Sequence, residues 1–215
     1  MGEFTVDRKI IHLAVGKPKE YDWNRKKEIS AIGKSFVQAV ELKKEGFIGD
    51  DVANHKFHGG VDRAVCLYPF EHYSYWENMF NKKLNPPAFG ENITATGMLE
   101  EQVCIGDIYK IGDTVIQVTQ GRVPCATISK YNEEKQFLKK VVETSLTGYF
   151  FRVLEEGTIK LDSEIELVER DPKEISVFFA TKVLFHKKKD KASIEKILKV
   201  EALAEDWRQR FLKLL

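Results

Sequence analysis

Cysteine is scarce in this sequence. Three occur in 215 residues, Cys66, Cys104 and Cys125, odd in number and far apart. A disulfide framework is thereby disfavoured, and no Cys-x-x-Cys pair exists to hold zinc or an iron–sulfur cluster. Long apolar runs are missing as well, since no stretch approaches the roughly 18 residues of a membrane span. Charge of one sign is not in excess: 34 Lys and Arg stand against 33 Asp and Glu, a net charge of +1. No bulk attraction to nucleic acid or to an anionic membrane follows from that balance. The glycine fingerprint of a flavin or dinucleotide site is absent. Charges interrupt the N-terminal stretch throughout, unlike the apolar core of a signal peptide. Together these absences predict a reduced, cytoplasmic protein with most thiols packed inside.

What is present is enough for a core. Hydrophobic residues make up 43% of the chain and charged residues 31%, and the length suits one ordinary domain with a small annex. Residues 8 to 16, "RKIIHLAVG", read as a first strand. "EISAIGKSFVQAVEL" reads as extended and broken at Gly33, and "EGFIGDD" as a turn. "RAVCLYP" is a short apolar run of the buried-strand kind. Tyr73, Trp76, Met79 and Phe80 recur at helical spacing over residues 71 to 83. "VCIGDIYKIGDTVIQVTQ" alternates and carries two Ile-Gly-Asp turns, which predicts a hairpin or meander. A helix is expected from a cap at Asn132 through Thr147, stopped by Gly148. "GTIKLDSEIELVER" supplies the last strands. After Asp171-Pro172 the pattern turns helical three times, with Ser193 expected as the middle cap. The reading is a β-rich main domain over residues 1 to 170 and a three-helix annex over residues 171 to 215.

Three stretches combine residues capable of chemistry. In "HKFHGGVDRAV", Gly59 and Gly60 permit close backbone approach to an anion. His58 and Arg63 add donors that Asp62 can orient. A plain hairpin turn with a surface Asp-Arg pair is the competing reading. His55 and His58 also form a His-x-x-His pair, without a third ligand to complete a metal site. In "FGENITATG", Asn92 carries an amide suited to reading a heterocycle edge, or belongs to an ordinary polar loop. In "QGRVPCATISK", Cys125 follows Pro124, and Arg122 and Lys130 are placed to supply charge that favours a thiolate. The alternative is an inert buried thiol. Cys66, inside an apolar run, reads as core, and Cys104 as structural.

These stretches, in this order, resemble the MOSC family, related to the C-terminal domain of molybdenum-cofactor sulfurase. The resemblance runs from about residue 28 to 168 through "ISAIGKSFVQAVELKKEGFIGDD", "HGGVDRAVCLYP", "FGENITATG" and "VCIGDIYKIGDTVIQVTQGRVPC". "SIEKILKVEALAEDWRQRFLKLL" resembles the three-helix domain of the YiiM-like branch. Gly121 departs from the pattern, standing where many members have proline before the arginine. So does Asp162-Ser163, where a Gly-Asp turn is usual.

The resemblance implies a mainly β (α+β) fold: a MOSC-type β-barrel with peripheral helices, followed by a small C-terminal three-helix domain. It implies binding of the molybdenum cofactor (molybdopterin), with Cys125 as the molybdenum ligand and catalytic thiol. Lys34, His58, Gly59, Gly60, Asp62, Arg63, Asn92 and Arg122 would surround the cofactor. The activity implied is reduction of small N-hydroxylated compounds, such as hydroxylaminopurine-type base analogues, with electrons from a separate reductase. A carrier of sulfur or cofactor, using a Cys125 persulfide without turnover, is the alternative. A cofactor-free interaction module, in which the HGG segment is a turn, is a third reading. Neither a nucleic-acid polymer nor a membrane is an expected partner. The annex has three open roles: docking a partner, covering the site or building a homodimer.

Overall fold

A computed structural model of the chain describes residues 7–54 and 59–215. The readings of His55 and His58 therefore lie outside the described residues. Thirteen strands are present among the described residues: β1 Lys9–Val15, β2 Lys19–Trp23, β3 Lys26–Ser30, β4 Ser35–Phe36, β5 Ala39–Lys43, β6 Gly46–Phe47, β7 Val65–Pro69, β8 Ile93–Thr96, β9 Ile108–Ile111, β10 Thr114–Gly121, β11 Tyr149–Glu155, β12 Gly157–Lys160 and β13 Ile165–Glu169. Eight form one sheet in the order β13-β9-β10-β11-β7-β8-β1-β4. It is a curled half-barrel, with β13 and β4 as its two free edges. Strands β12, β5 and β6 make a second sheet, and β2 and β3 a separate hairpin. The mixed, β-dominated architecture is the one expected.

All neighbours in the large sheet are antiparallel except β7 and β8. A parallel pair needs a crossover, and helix α1, Glu71–Phe80, supplies it. Strand β7 is buried at every position. Its alternation decides what each side chain meets. Val65 and Leu67 enter the main core, whereas Tyr68 enters a second core with Trp76, Phe89 and Phe137. The hairpin of β9 and β10 turns at Gly112, whose φ of 58° suits glycine.

The expected helix from Asn132 to Thr147 is two shorter ones, α2 Thr127–Tyr131 and α3 Phe137–Thr144. Asn132 does not cap the second. Its amide nitrogen donates to the carbonyls of Ala88 (2.7 Å) and Ile128 (2.9 Å), which draws it to the end of α2. The stop is Ser145, left-handed at φ 64°, rather than Gly148. The C-terminal helices are α4 Val177–His186, α5 Lys191–Leu198 and α6 Glu205–Leu212. The cap of α5 is Asp190 rather than Ser193. The Asp190 carboxylate accepts from the Ser193 amide (3.1 Å) and hydroxyl (2.7 Å). These helices share one continuous apolar core with the half-barrel, running from Leu13 and Phe151 to Val183, Ile197, Trp207 and Phe211.

Candidate functional site

Four strands set the floor of a wide cleft. Phe150 on β11 pairs with Cys66 on β7 and with Gln120 on β10, so the three lie in one cross-strand row. Asn92, just before β8, extends the row: its Oδ1 accepts from the Cys66 amide (3.1 Å), and its amide donates to the Cys66 carbonyl (2.9 Å). Residues in one row project to one face, and all four line the cleft. Its volume is about 1200 Å³, larger than the roughly 300–1,000 Å³ usual for a small-ligand pocket. Ile29, Ile48, Val61 and Val123 form an exposed apolar rim. The lining also includes Lys34, Gly59, Gly60, Arg63, Arg122 and Cys125, and from α6 Asp206 and Arg210.

Most residues expected at a site are therefore brought together, but two of them do structural work. Lys34 pairs with Asp50 Oδ1, and the two side chains are only 5% and 14% exposed. Asp50 also accepts from the Gly16 amide (2.8 Å) and from Asn92 Nδ2 (2.9 Å). Asn92 Nδ2 further donates to the Ala14 carbonyl (3.3 Å). Both Asn92 amide hydrogens are thus used within the protein. The expectation that Asn92 reads a ligand edge gives way to a role in holding the floor. Lys34, likewise, is a buried counter-ion more than a donor to a ligand.

Asp62 is corrected as well. It is not among the cleft-lining residues. It sits in a single 3₁₀ turn, Val61–Arg63, and its Oδ1 accepts from Arg152 Nε (2.9 Å) instead of orienting Arg63. Arg152 Nη2 also donates to the Ala202 carbonyl (2.9 Å). Thr119 Oγ1 donates to the Asp62 carbonyl (2.7 Å). The turn is thereby tied to β10, β11 and the segment leading into α6. Arg63 itself donates to Asp206 Oδ2 (2.8 Å). Gly60, with φ 108° and open space where a Cβ would stand, begins the turn.

The thiols divide as follows. Cys104 is buried beside Arg170 (2.9 Å), outside the cleft. Cys125 is half-buried in the cleft wall. Cys66 is buried but also lines the cleft, and Arg122 Nη1 stands 3.8 Å from its sulfur. Burial pushes the Cys66 thiol up, with the Arg122 guanidinium opposing in part. Both charges expected to serve Cys125 also have other partners. Arg122 lies on Cys66, and Lys130 donates to both carboxylate oxygens of Glu28 (2.6 Å each). Arg122 has no carboxylate partner among the described residues and is only half-buried.

Cys66, Asp50, Gln120, Phe150, Asp206 and Arg210 are among the lining residues that sequence reasoning missed. Alternation within "AVCLY" was the signal for Cys66, since it puts that thiol on the face opposite Val65 and Leu67. Asp206 and Arg210 carried no local signal, because their place depends on how α6 packs. Among the described residues no three His, Cys, Asp or Glu side chains are grouped to hold a metal ion unaided.

Comparison with known proteins bears on this cleft. The model of the MOSC domain matches residues 54–166, and that of the YiiM-like 3-alpha helix domain matches residues 175–215. The chain is 42% identical over 205 residues to the uncharacterized protein YflK of Bacillus subtilis, covering 95% of this chain and 93% of that one. The crystal structure of YiiM from Geobacillus stearothermophilus superposes with a TM-score of 0.83 at 33% identity, covering 97% and 99% of the two chains. A protein of Gibberella moniliformis named "Reductase" is 37% identical over 148 residues, 65% of this chain but 25% of its own length.

Proposed function

The chain belongs to the MOSC domain family, and from that premise we propose that it holds the molybdenum cofactor in this cleft and reduces N-hydroxylated compounds. The observation that carries the reading is the donor set. Arg122, a guanidinium without a carboxylate partner among the described residues, stands in a cleft lined by two thiols, Cys66 and Cys125. Soft thiol sulfur suits a thiophilic metal, and guanidinium groups suit phosphate. The donor set therefore fits a molybdenum–pterin group, with Cys125 as the metal ligand and Arg63 and Arg122 as cationic groups around it. Gly59 and Gly60 allow close backbone approach, and His58 belongs to the same segment outside the described residues.

The cofactor, when bound, supplies the two-electron chemistry, and the protein supplies binding and orientation. The reaction consumes two electrons and two protons: the N–O bond breaks, the nitrogen takes one proton to become an amine, and the hydroxyl takes the other and leaves as water. The apolar rim of Ile29, Ile48, Val61 and Val123 takes the flat, uncharged face of a base-like substrate. Lys34, Asp50 and Asn92 keep the floor rigid beneath it. Electrons come from a separate reductase, a role in keeping with the absence of a flavin fingerprint. The relative named "Reductase" supports oxidoreductase chemistry at the coarse level.

The test is elemental and kinetic. Protein from a host that makes the cofactor is expected to carry molybdenum, and Cys125→Ser to lose it. Loaded protein with a reduced dye is expected to turn over a hydroxylaminopurine. Firmly bound molybdenum without turnover replaces the enzyme by a carrier. Absence of molybdenum from wild type overturns the reading.

A further inference from the structure

Helix α6 brings a second arginine to the cleft. Arg63 Nη2 of the half-barrel and Arg210 Nε of α6 both donate to one atom, Asp206 Oδ2, at 2.8 and 2.9 Å. Asp206 and Arg210 are one helical turn apart and share a face. The neighbouring Trp207 and Phe211 are fully buried, which anchors the adjoining face of the helix in the core. All three charged residues line the cleft. We propose that Arg63 and Arg210, braced by Asp206, form a two-arginine clamp for the oxyanion end of the cleft's ligand, so that the three-helix annex is part of the binding site.

An exposed Asp–Arg pair on one helix is ordinary and worth little. This one differs because a third member comes from another part of the fold, and because one carboxylate faces two guanidinium groups. Lys34 cannot serve in this way, being sealed against Asp50. Only Nε of Arg210 is engaged among the described residues, so the fork of terminal amino groups remains for a bidentate oxyanion. The side chain is 47% exposed, which leaves it accessible. The shared chemistry is a phosphate, borne either by a pterin cofactor or by a phosphorylated substrate. The proposal rests on reading this cleft as the ligand site and not on the metal.

Apo protein is titrated with inorganic phosphate at ionic strength held constant with sodium chloride, and the thermal midpoint is followed. A ligand that binds only the folded state raises that midpoint. Wild type is expected to respond, Arg210→Gln to need about tenfold more phosphate for the same rise, and Arg210→Lys to fall between, since the charge stays but the fork is lost. Without phosphate, Arg210→Gln is expected to melt with wild type because the side chain is exposed. No response in wild type, or equal responses in wild type and Arg210→Gln, overturns the clamp. Two further arms separate the sources. Lower pterin content in Arg210→Gln, read by fluorescence after oxidative release, assigns the clamp to the cofactor. Unchanged pterin with weakened binding of adenosine monophosphate, but not of adenosine, assigns it to a substrate. A phosphate response lost in Arg210→Gln, in protein that never carries molybdenum, upholds the clamp and removes the proposed function. Bound molybdenum with an unaltered phosphate response does the reverse.

Discussion

Arg122 Nη1 lies 3.8 Å from the sulfur of Cys66, a residue 56 positions away in the chain. The arginine follows directly on β10 and reaches across the sheet to β7. The cleft consequently holds two thiols in different surroundings. One is half-buried in a loop, and the other is buried in the floor under a guanidinium.

Their reactivity should differ accordingly. A polar disulfide reagent on apo protein is expected to label Cys125 rapidly, and Cys66 about a hundredfold more slowly, because exposure and thiolate fraction set the rate. Mass mapping at timed intervals reads both sites. Equal protection of the two removes Cys125 as a working thiol.

The raised Cys66 thiol also shapes alkaline stability. In the folded state the sulfur holds its proton above the ordinary value of 9.0. Its contribution is fully present below that pH and is lost as pH rises through the folded value. Buried Tyr68, Tyr73 and Tyr149 are pushed up in the same direction, so the effect must be isolated by subtraction. The stability difference between wild type and Cys66→Ala, from urea melts at pH 7 to 10.5, is expected to shrink above pH 9. A constant difference contradicts the assignment.

Lys34 and Asp50 should behave as one buried unit. Lys34→Met strands a carboxylate that is mostly enclosed, and is expected to cost about 3–5 kcal/mol. Much of that cost should disappear in Lys34→Met/Asp50→Asn, where no charge remains and the amide can keep the bond from Gly16. Denaturant melts of the full double-mutant cycle measure the coupling. Additive losses show that the pair contributes no more than its separate members.

Gly121 is expected to resist any side chain. A Cβ there would lie 2.3 Å from Thr181 Oγ1 and 2.8 Å from the Trp207 ring. Gly121→Ala should cost about 1–3 kcal/mol as an overpacked site. Thr181→Ala in the same chain should recover part of it, because the threonine oxygen makes no hydrogen bond among the described residues. A neutral Gly121→Ala melt shows that α4 and α6 can shift away from β10.

Removing Arg152 should loosen the turn it secures. Arg152→Ala loses the bonds to Asp62 and to the Ala202 carbonyl, with a stability loss of about 1–2 kcal/mol. Amide exchange in residues 60 to 64 is expected to quicken, read by mass spectrometry. Unchanged exchange there assigns the rigidity of the turn to other contacts.

Sequence order showed β1, β4, β5, β7, β9, β10, β12 and β13, α1 and the broad division into sheet and helices, because apolar alternation and glycine turns are local signals; it did not show β2, β6, β8 and β11 as strands. It also assembled Lys34, Gly59, Gly60, Arg63, Arg122 and Cys125 in one cleft. What it missed was partner choice. Asp62 meets Arg152 ninety residues away, and Asn92 spends its amide on Ala14 and Asp50. Nothing near either residue encodes those pairings. The helix over residues 132 to 147 was misread for a related reason. Asn132 looks like a cap in isolation, but the carbonyl of Ala88 claims its side chain.

The floor row has a consequence for the order of events in the cell. Reading across the sheet, its members come from positions 92, 66, 150 and 120. No contiguous stretch of nascent chain contains a working fraction of it. Gln120 and Cys66 are held at their spacing only once β11 has inserted between β10 and β7. A ribosome-bound chain that has emerged only as far as the "GRVPC" segment therefore presents its cysteines without a cleft around them. The cleft therefore cannot assemble before β11 arrives.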